Sequence, residues 1–259
     1  MEPSAPTSDR PSRLFRFFDS SGAQFLENRL LWFRPVGDQN DPFDGVPATG
    51  AMVRTTKSAW LKRMLWDGVL TNETYADFEE RHKKSEDDVH ENFLKGTRGQ
   101  FAIVCFTESL DRIPFWSFYA EKHKGFAVEF DPRHKFFDRL VSVIYTDHRP
   151  PAVRQVNESR GFDLLRTKSK DWADENEWRL PAMLQNLKRG DGPKGTGFTH
   201  YLKVPEDAFR AVIFGCRAEP TLKNRIGKFL KCGGLSKIEC LEMKPDLDRY
   251  KRNVVPATF

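Results

Sequence analysis

The four cysteines, at positions 105, 216, 232 and 240, contain no Cys-x-x-Cys pair, and no Cys/His spacing suits a metal. Buried, reduced thiols of a cytosolic chain are the expectation. His-Glu-x-x-His and Gly-x-Ser-x-Gly are also missing, which disfavours hydrolysis by a metal or a nucleophile triad. There is no apolar span of 18 residues and no charged-plus-apolar leader, so a soluble, cytoplasmic protein without a membrane partner is expected. No run of five Lys/Arg and no arginine-rich arm occurs. The net charge of +5 still leans toward an anionic partner: a nucleotide, a nucleic acid or a phosphorylated substrate. Tyrosine is scarce, 5 against 22 phenylalanines, so ring packing should dominate the core over phenol hydrogen bonds.

What is present fits one α+β domain of a 259-residue chain. A central mixed or antiparallel sheet with flanking helices is expected over residues 13–245. Residues 1–12 read as a loose tail, 57–95 as a helical insertion and 246–259 as a polar tail. Apolar runs predict strands at Leu14–Phe18 (with a helix start as the alternative), Leu31–Phe33, Phe101–Phe106, Phe126–Asp131, Leu140–Tyr145, Phe198–Val204, Arg210–Phe214 and Ile238–Leu241. Helical spacing predicts a helix or turn at Phe25–Leu31, and helices at Ile113–Lys124, Asn157–Lys170 and Glu219–Lys231, with Gly125 as a left-handed cap. Residues 186–197 read as a mobile Gly/Lys loop. It fails as a phosphate loop because Thr196 follows Gly195 where Lys and Ser/Thr are needed.

Three places carry candidate chemistry. Arg16 sits among four large apolar residues and needs a partner if buried. Asn40-Asp41-Pro42-Phe43-Asp44-Gly45 is turn chemistry, in which Asn40 and Asp41 can hold a ligand or brace another loop. Glu175, Glu177 and Arg179 fall on one face if their segment is a strand, as a site, a surface ladder or a brace with Arg179 or Lys170.

In order along the chain, Leu14-Phe15-Arg16-Phe17-Phe18, Asn40-Asp41-Pro42-Phe43-Asp44, Cys105-Phe106-Thr107-Glu108, Trp116-Ser117-Phe118-Tyr119-Ala120 with His123 and Gly125, and Trp172 to Arg179 form a pattern. It resembles the prokaryotic family called domain of unknown function 2971. The resemblance spans roughly residues 13 to 215, with Phe118 where that family carries His. The late Glu-x-Glu, the early basic residue and the aromatic/hydroxyl motif are similar to those of ADP-ribosyltransferases. That likeness implies a split sheet and NAD as substrate, in an ADP-ribosyltransferase or NAD glycohydrolase. On this reading Glu177 steadies the oxocarbenium-like ribose and Glu175 orients or deprotonates an acceptor. Arg16 holds pyrophosphate, Trp116 or Tyr119 stacks on nicotinamide, and Ser117 or Thr107 steadies the ribose. Asn40, Asp41, His123 and Arg179 complete the candidate cofactor-binding set, and no metal is expected. The alternative is a nucleic-acid- or nucleotide-binding module of a defence or stress system without turnover, resting on the charge and the 188–194 loop.

Overall fold

A computed structural model describes residues 10–48, 99–150, 164–191, 198–232 and 235–258, with single positions 76, 77, 80, 95 and 162. The helical insertion expected over 57–95 thus lies almost wholly outside the described residues, as does the start of the 157–170 helix. The architecture is α+β: a large mixed sheet with few helices.

The strands are β1 (Leu14–Phe18), β2 (Leu30–Pro35), β3 (Phe101–Thr107), β4 (Phe126–Phe130), β5 (Val141–Ser142), β6 (Ile144–Thr146), β7 (Thr167–Ser169), β8 (Glu177–Met183), β9 (Lys188–Asp191), β10 (Phe198–Lys203), β11 (Phe209–Phe214), β12 (Glu239–Pro245) and β13 (Arg252–Pro256). The helices are α1 (Ala23–Asn28), α2 (Ile113–Phe118) and α3 (Pro220–Cys232). Eleven strands form one sheet along the path β13-β12-β11-β4-β1-β3-β2-β10-β9, with β8 and β5 joined beside β3. Among the described residues, only β11 and β12 run parallel within it. β6 and β7 make a separate parallel pair.

Two arms of this sheet meet at one point. β3 pairs with β2 at Ala102 and Ile103, and with β1 only at Thr107, opposite Phe15. Between these pairings the Cys105 carbonyl accepts a hydrogen bond from Arg16 Nη1 at 2.8 Å. The guanidinium therefore occupies the gap where β1 and β2 part, and supplies a donor that no strand supplies there.

Alternation along the strands separates two faces. Leu14, Val104, Phe106, Phe130, Leu180 and Phe214 belong to the main core, beneath α1 and α3. Phe15, Trp116, Ala120, Ala127, Ile213 and Met243 pack on the other face. Phenylalanine carries much of the main core: Phe130 meets Phe25, Phe106, Phe137 and Phe209 with ring centroids 5.2–6.2 Å apart.

Several expectations need correction. The helix from Ile113 stops at Phe118. Glu121, Lys122 and His123 then take left-handed φ values of 49°, 54° and 73°. The left-handed stop comes there, before Gly125. Gly125 is required for closeness instead: a Cβ would lie 2.0 Å from the Phe18 carbonyl oxygen. The Leu140–Tyr145 run divides between β5, on β8, and β6, in the small sheet. Lys168, expected inside the 157–170 helix, lies on β7. Lys188–Asp191 is a strand paired with β10, not loop; residues 192–197 lie outside the described residues. The stretch read as a polar tail contains β13, an edge strand on β12.

Candidate functional site

The centre is Arg179, fully buried on β8. Its Nη1 and Nη2 donate to the two carboxylate oxygens of Asp44 at 2.7 and 2.6 Å, and its Nε donates to Glu177 Oε1 at 2.8 Å. Glu177 Oε2 accepts from Lys168 Nζ at 2.8 Å, and the same ammonium donates to Glu175 Oε2 at 2.6 Å. Glu175 Oε1 accepts from the Tyr119 hydroxyl at 3.2 Å, and Asn40 lies near that hydroxyl. Lys168 also lies 4.9 Å from the ring centroid of Trp172. The chain of contacts thus runs from a buried end at Asp44 to a rim at Tyr119.

Local structure explains the convergence. Glu177 and Arg179 share a face of β8 with Thr107 and Cys105 opposite them on β3. Glu175 is not on the strand; it ends the 3-10 turn Lys170–Glu175. Asn176, left-handed at φ 43°, reverses the chain there, and Glu175 ends up beside Lys168. Asp44 is delivered by its turn: Asp41 Oδ1 accepts from the Phe43 amide at 2.8 Å, and Gly45 at φ 68° turns the chain away. Tyr145 on β6 accepts from the Glu177 amide at 2.8 Å, and β7 holds Lys168 in register with Tyr145.

Burial and pairing oppose each other at Glu177, Lys168, Arg179 and Asp44. For Glu177 burial raises the pKa, but the charge and hydrogen bonds of Arg179, then Lys168, win and hold it at about 2. For Lys168 burial works downward, and Glu177 and Glu175 overcome it, so the ammonium is held. Asp44 is the exception: burial raises its pKa more than Arg179 lowers it. Burial, with Glu175 adding to it, pushes Tyr119 up to about 12. Asp44, Glu175 and Glu177 against Arg179 and Lys168 leave one negative charge in excess. Beside this cluster is a cavity of about 220 Å³ lined by Asp41, Asp44 and Lys168 among others.

The structure brings together Glu175, Glu177, Arg179, Tyr119, Asn40 and Asp41, with Thr107 beneath them donating its hydroxyl to the Glu175 carbonyl at 2.7 Å. It leaves others apart. Trp116 is fully buried and its indole N–H donates to the Leu110 carbonyl, so it offers no stacking face. Ser117 and His123 face each other at 3.4 Å, away from Glu175, with the His123 ring against Trp116. Arg16 leaves β1 on the Leu14 side, whereas Glu177, by register through Thr107 and Phe15, is on the Trp116 side. The expected meeting of Arg16 and Trp116 with Glu177 around one pocket is therefore not formed. The expected brace is formed with Arg179, but its ammonium is Lys168; Lys170 pairs with Asp147 at the surface. Lys168, Asp44 and Tyr145 were not among the candidates. The signal that could have found Lys168 is its spacing, seven before Glu175 and nine before Glu177.

Comparison with known protein families, with curated proteins and with solved structures gave no match. Among the described residues, no helix is long and apolar enough to cross a membrane, and no group of His, Cys, Asp and Glu is arranged to hold a metal ion.

Proposed function

We propose that this protein cleaves the nicotinamide–ribose bond of NAD, as an ADP-ribosyltransferase or NAD glycohydrolase. The observation that carries the reading is the buried cluster with one surplus negative charge, ending at a rim of Glu175 and Tyr119. Such a cluster favours a cation at its open end. Both the pyridinium of NAD and the oxocarbenium-like ribose left by its departure are cations.

The geometry supports different roles from those the sequence suggested. Both Glu177 oxygens are taken by Arg179 and Lys168, so Glu177 acts as a positioning residue. Both oxygens of Glu175 are engaged too, by Lys168 and Tyr119, but its carboxylate is the more open (15% against 5% exposed) and stands at the rim, so it is the group that meets the ribose. Tyr119, 41% exposed, supplies the aromatic face. Incubating the protein with NAD and measuring nicotinamide release tests the reading. Glu175→Gln is expected to lose about 100-fold or more, the scale of removing one charge-stabilising group. Absence of both release and NAD binding by the unaltered protein would overturn it.

A second reading, a nucleotide- or nucleic-acid-binding module without turnover, is favoured by Arg16. Its Nε is buried without a partner among the described residues, and Arg34 adds positive charge nearby. In this same molecule Arg13 and Arg225 give that Nε–Nη2 edge to a carboxylate. Fluorescence anisotropy with single-stranded DNA and RNA over a salt series decides it: phosphate-driven association weakens steeply with salt, and no association ends the nucleic-acid form.

A further inference from the structure

Across the Glu108–Arg112 loop from Glu175 lies a cavity of about 420 Å³, within the usual range of small-molecule sites. It is on the same face of the sheet as Trp116, since Phe15 lines it, as does Val254, the register partner of Met243. Its loop wall is tied to the candidate site: Ser109 Oγ accepts from Asn176 Nδ2 at 3.3 Å, and Arg112 pairs with Asp174 at 3.2 Å.

Three arginines stand in its walls, and they are not equivalent. Arg13 spends its Nε–Nη2 edge on Glu129, at 2.9 and 2.8 Å. Arg112 has Asp174. The Arg252 guanidinium has no ion pair among the described residues, and its one side-chain hydrogen bond among them is a 3.4 Å contact from Nη1 to the Asp111 carbonyl. Burial pushes its pKa down, and the nearby Cys216 and Asp111 offset only part of that. A partly buried guanidinium without a carboxylate gains most from a phosphate or carboxylate ligand. The same cavity carries the exposed carboxylates Glu108 and Asp111. They repel a bare anion but accept hydrogen bonds from hydroxyls, as carboxylates do from ribose. Val254, 40% exposed, adds an apolar wall.

We propose that this cavity binds a ribose phosphate group, with the phosphate on Arg252 and the sugar hydroxyls on Glu108 and Asp111. The site goes beyond NAD cleavage and needs no turnover to be seen. The group can arrive as a free sugar phosphate or as part of a nucleotide, and the test separates these.

Isothermal titration with ribose 5-phosphate, AMP and inorganic phosphate reads binding directly. The unaltered protein is expected to bind ribose 5-phosphate more tightly than inorganic phosphate. Arg252→Gln should weaken both by about tenfold or more, the scale of one charge-assisted hydrogen bond or two. Arg252→Lys, which keeps the charge and loses the planar fork, should fall between, and thermal melting of each variant confirms the fold. The double variant Glu108→Gln, Asp111→Asn should weaken ribose 5-phosphate several-fold and leave inorganic phosphate no weaker. AMP binding more tightly than ribose 5-phosphate assigns the group to a nucleotide; equal binding assigns it to a sugar phosphate. No binding of any of the three, unchanged binding by folded Arg252→Gln, or tighter ribose 5-phosphate binding by the double variant would overturn the proposal.

Discussion

At the scale of single residues, Glu177 decides how the centre responds to substitution and to acid. Replacing it with Gln leaves Lys168 and Arg179 buried with one fewer carboxylate, so Glu177→Gln is expected to lose about 3–5 kcal/mol in urea unfolding at neutral pH. Its pKa is depressed in the folded protein, to about 2. Its stabilisation is therefore complete above the ordinary glutamate range and disappears as the pH falls from there toward 2. The gap between the unaltered protein and Glu177→Gln should shrink over that window; a gap constant down to pH 2 would show that Glu177 does not carry the charge assigned to it. Asp44 behaves oppositely: burial raises its pKa, so its charged form is disfavoured by folding despite the Arg179 pairing. The pairing of Glu177 with Arg179 was legible in the sequence because two residues apart on a strand is one face. Lys168 was not, because the apolar spacing of Phe162, Leu164 and Leu165 suggested a helix running through it. Glu175 was named but expected on the strand; Asn176, a residue type that tolerates left-handed φ, turns the chain there and sets Glu175 off the strand.

At the scale of elements, the strands were readable wherever an apolar run met its full length, as in β3, β4 and β11. Elements fixed by distant partners were not. The turn after α2 is one: three successive non-glycine residues are left-handed, at a cost of roughly 1–2 kcal/mol each. What holds them comes from elsewhere in the chain. Glu121 accepts from the amide and hydroxyl of Ser20, and the His123 carbonyl accepts from the Arg217 amide. Gly125 and Gly215 close against Phe18 and His123 so tightly that a Cβ on either would stand 2.0 or 2.2 Å from a carbonyl oxygen. Two opposite outcomes follow for glycine chemistry. Lys122→Gly, at an exposed left-handed position, should raise stability by up to about 1 kcal/mol. Gly125→Ala should lower it by about 1–3 kcal/mol through overpacking. Urea midpoints of the two variants check both signs.

At the scale of the whole molecule, β13 closes one end of the sheet and was invisible as a strand, because its residues are mostly exposed and alternate weakly. Removing residues 246–259 would bare the edge of β12 and take away Arg252. The truncated chain is expected to melt several degrees lower and to self-associate, as thermal unfolding and light scattering would show. An unchanged melting temperature would mean that this strand contributes nothing to the fold. The α+β class was legible in the mixture of runs and periodicities; the order of strands was not, since neighbours such as β8 on β3 and β11 on β4 are set by which apolar faces meet in three dimensions.

The Arg16 gap has a mechanical consequence. β3 and β8 are zipped over seven rungs and β1 and β4 over five, whereas β3 meets β2 over two and β1 over a single one. The weakest seam of the backbone ladder therefore runs through the centre of the protein and not along its rim, and it is pinned by one cation on one carbonyl. Tilting one arm against the other would break few hydrogen bonds, and a molecule lodged in the seam would set the angle between them.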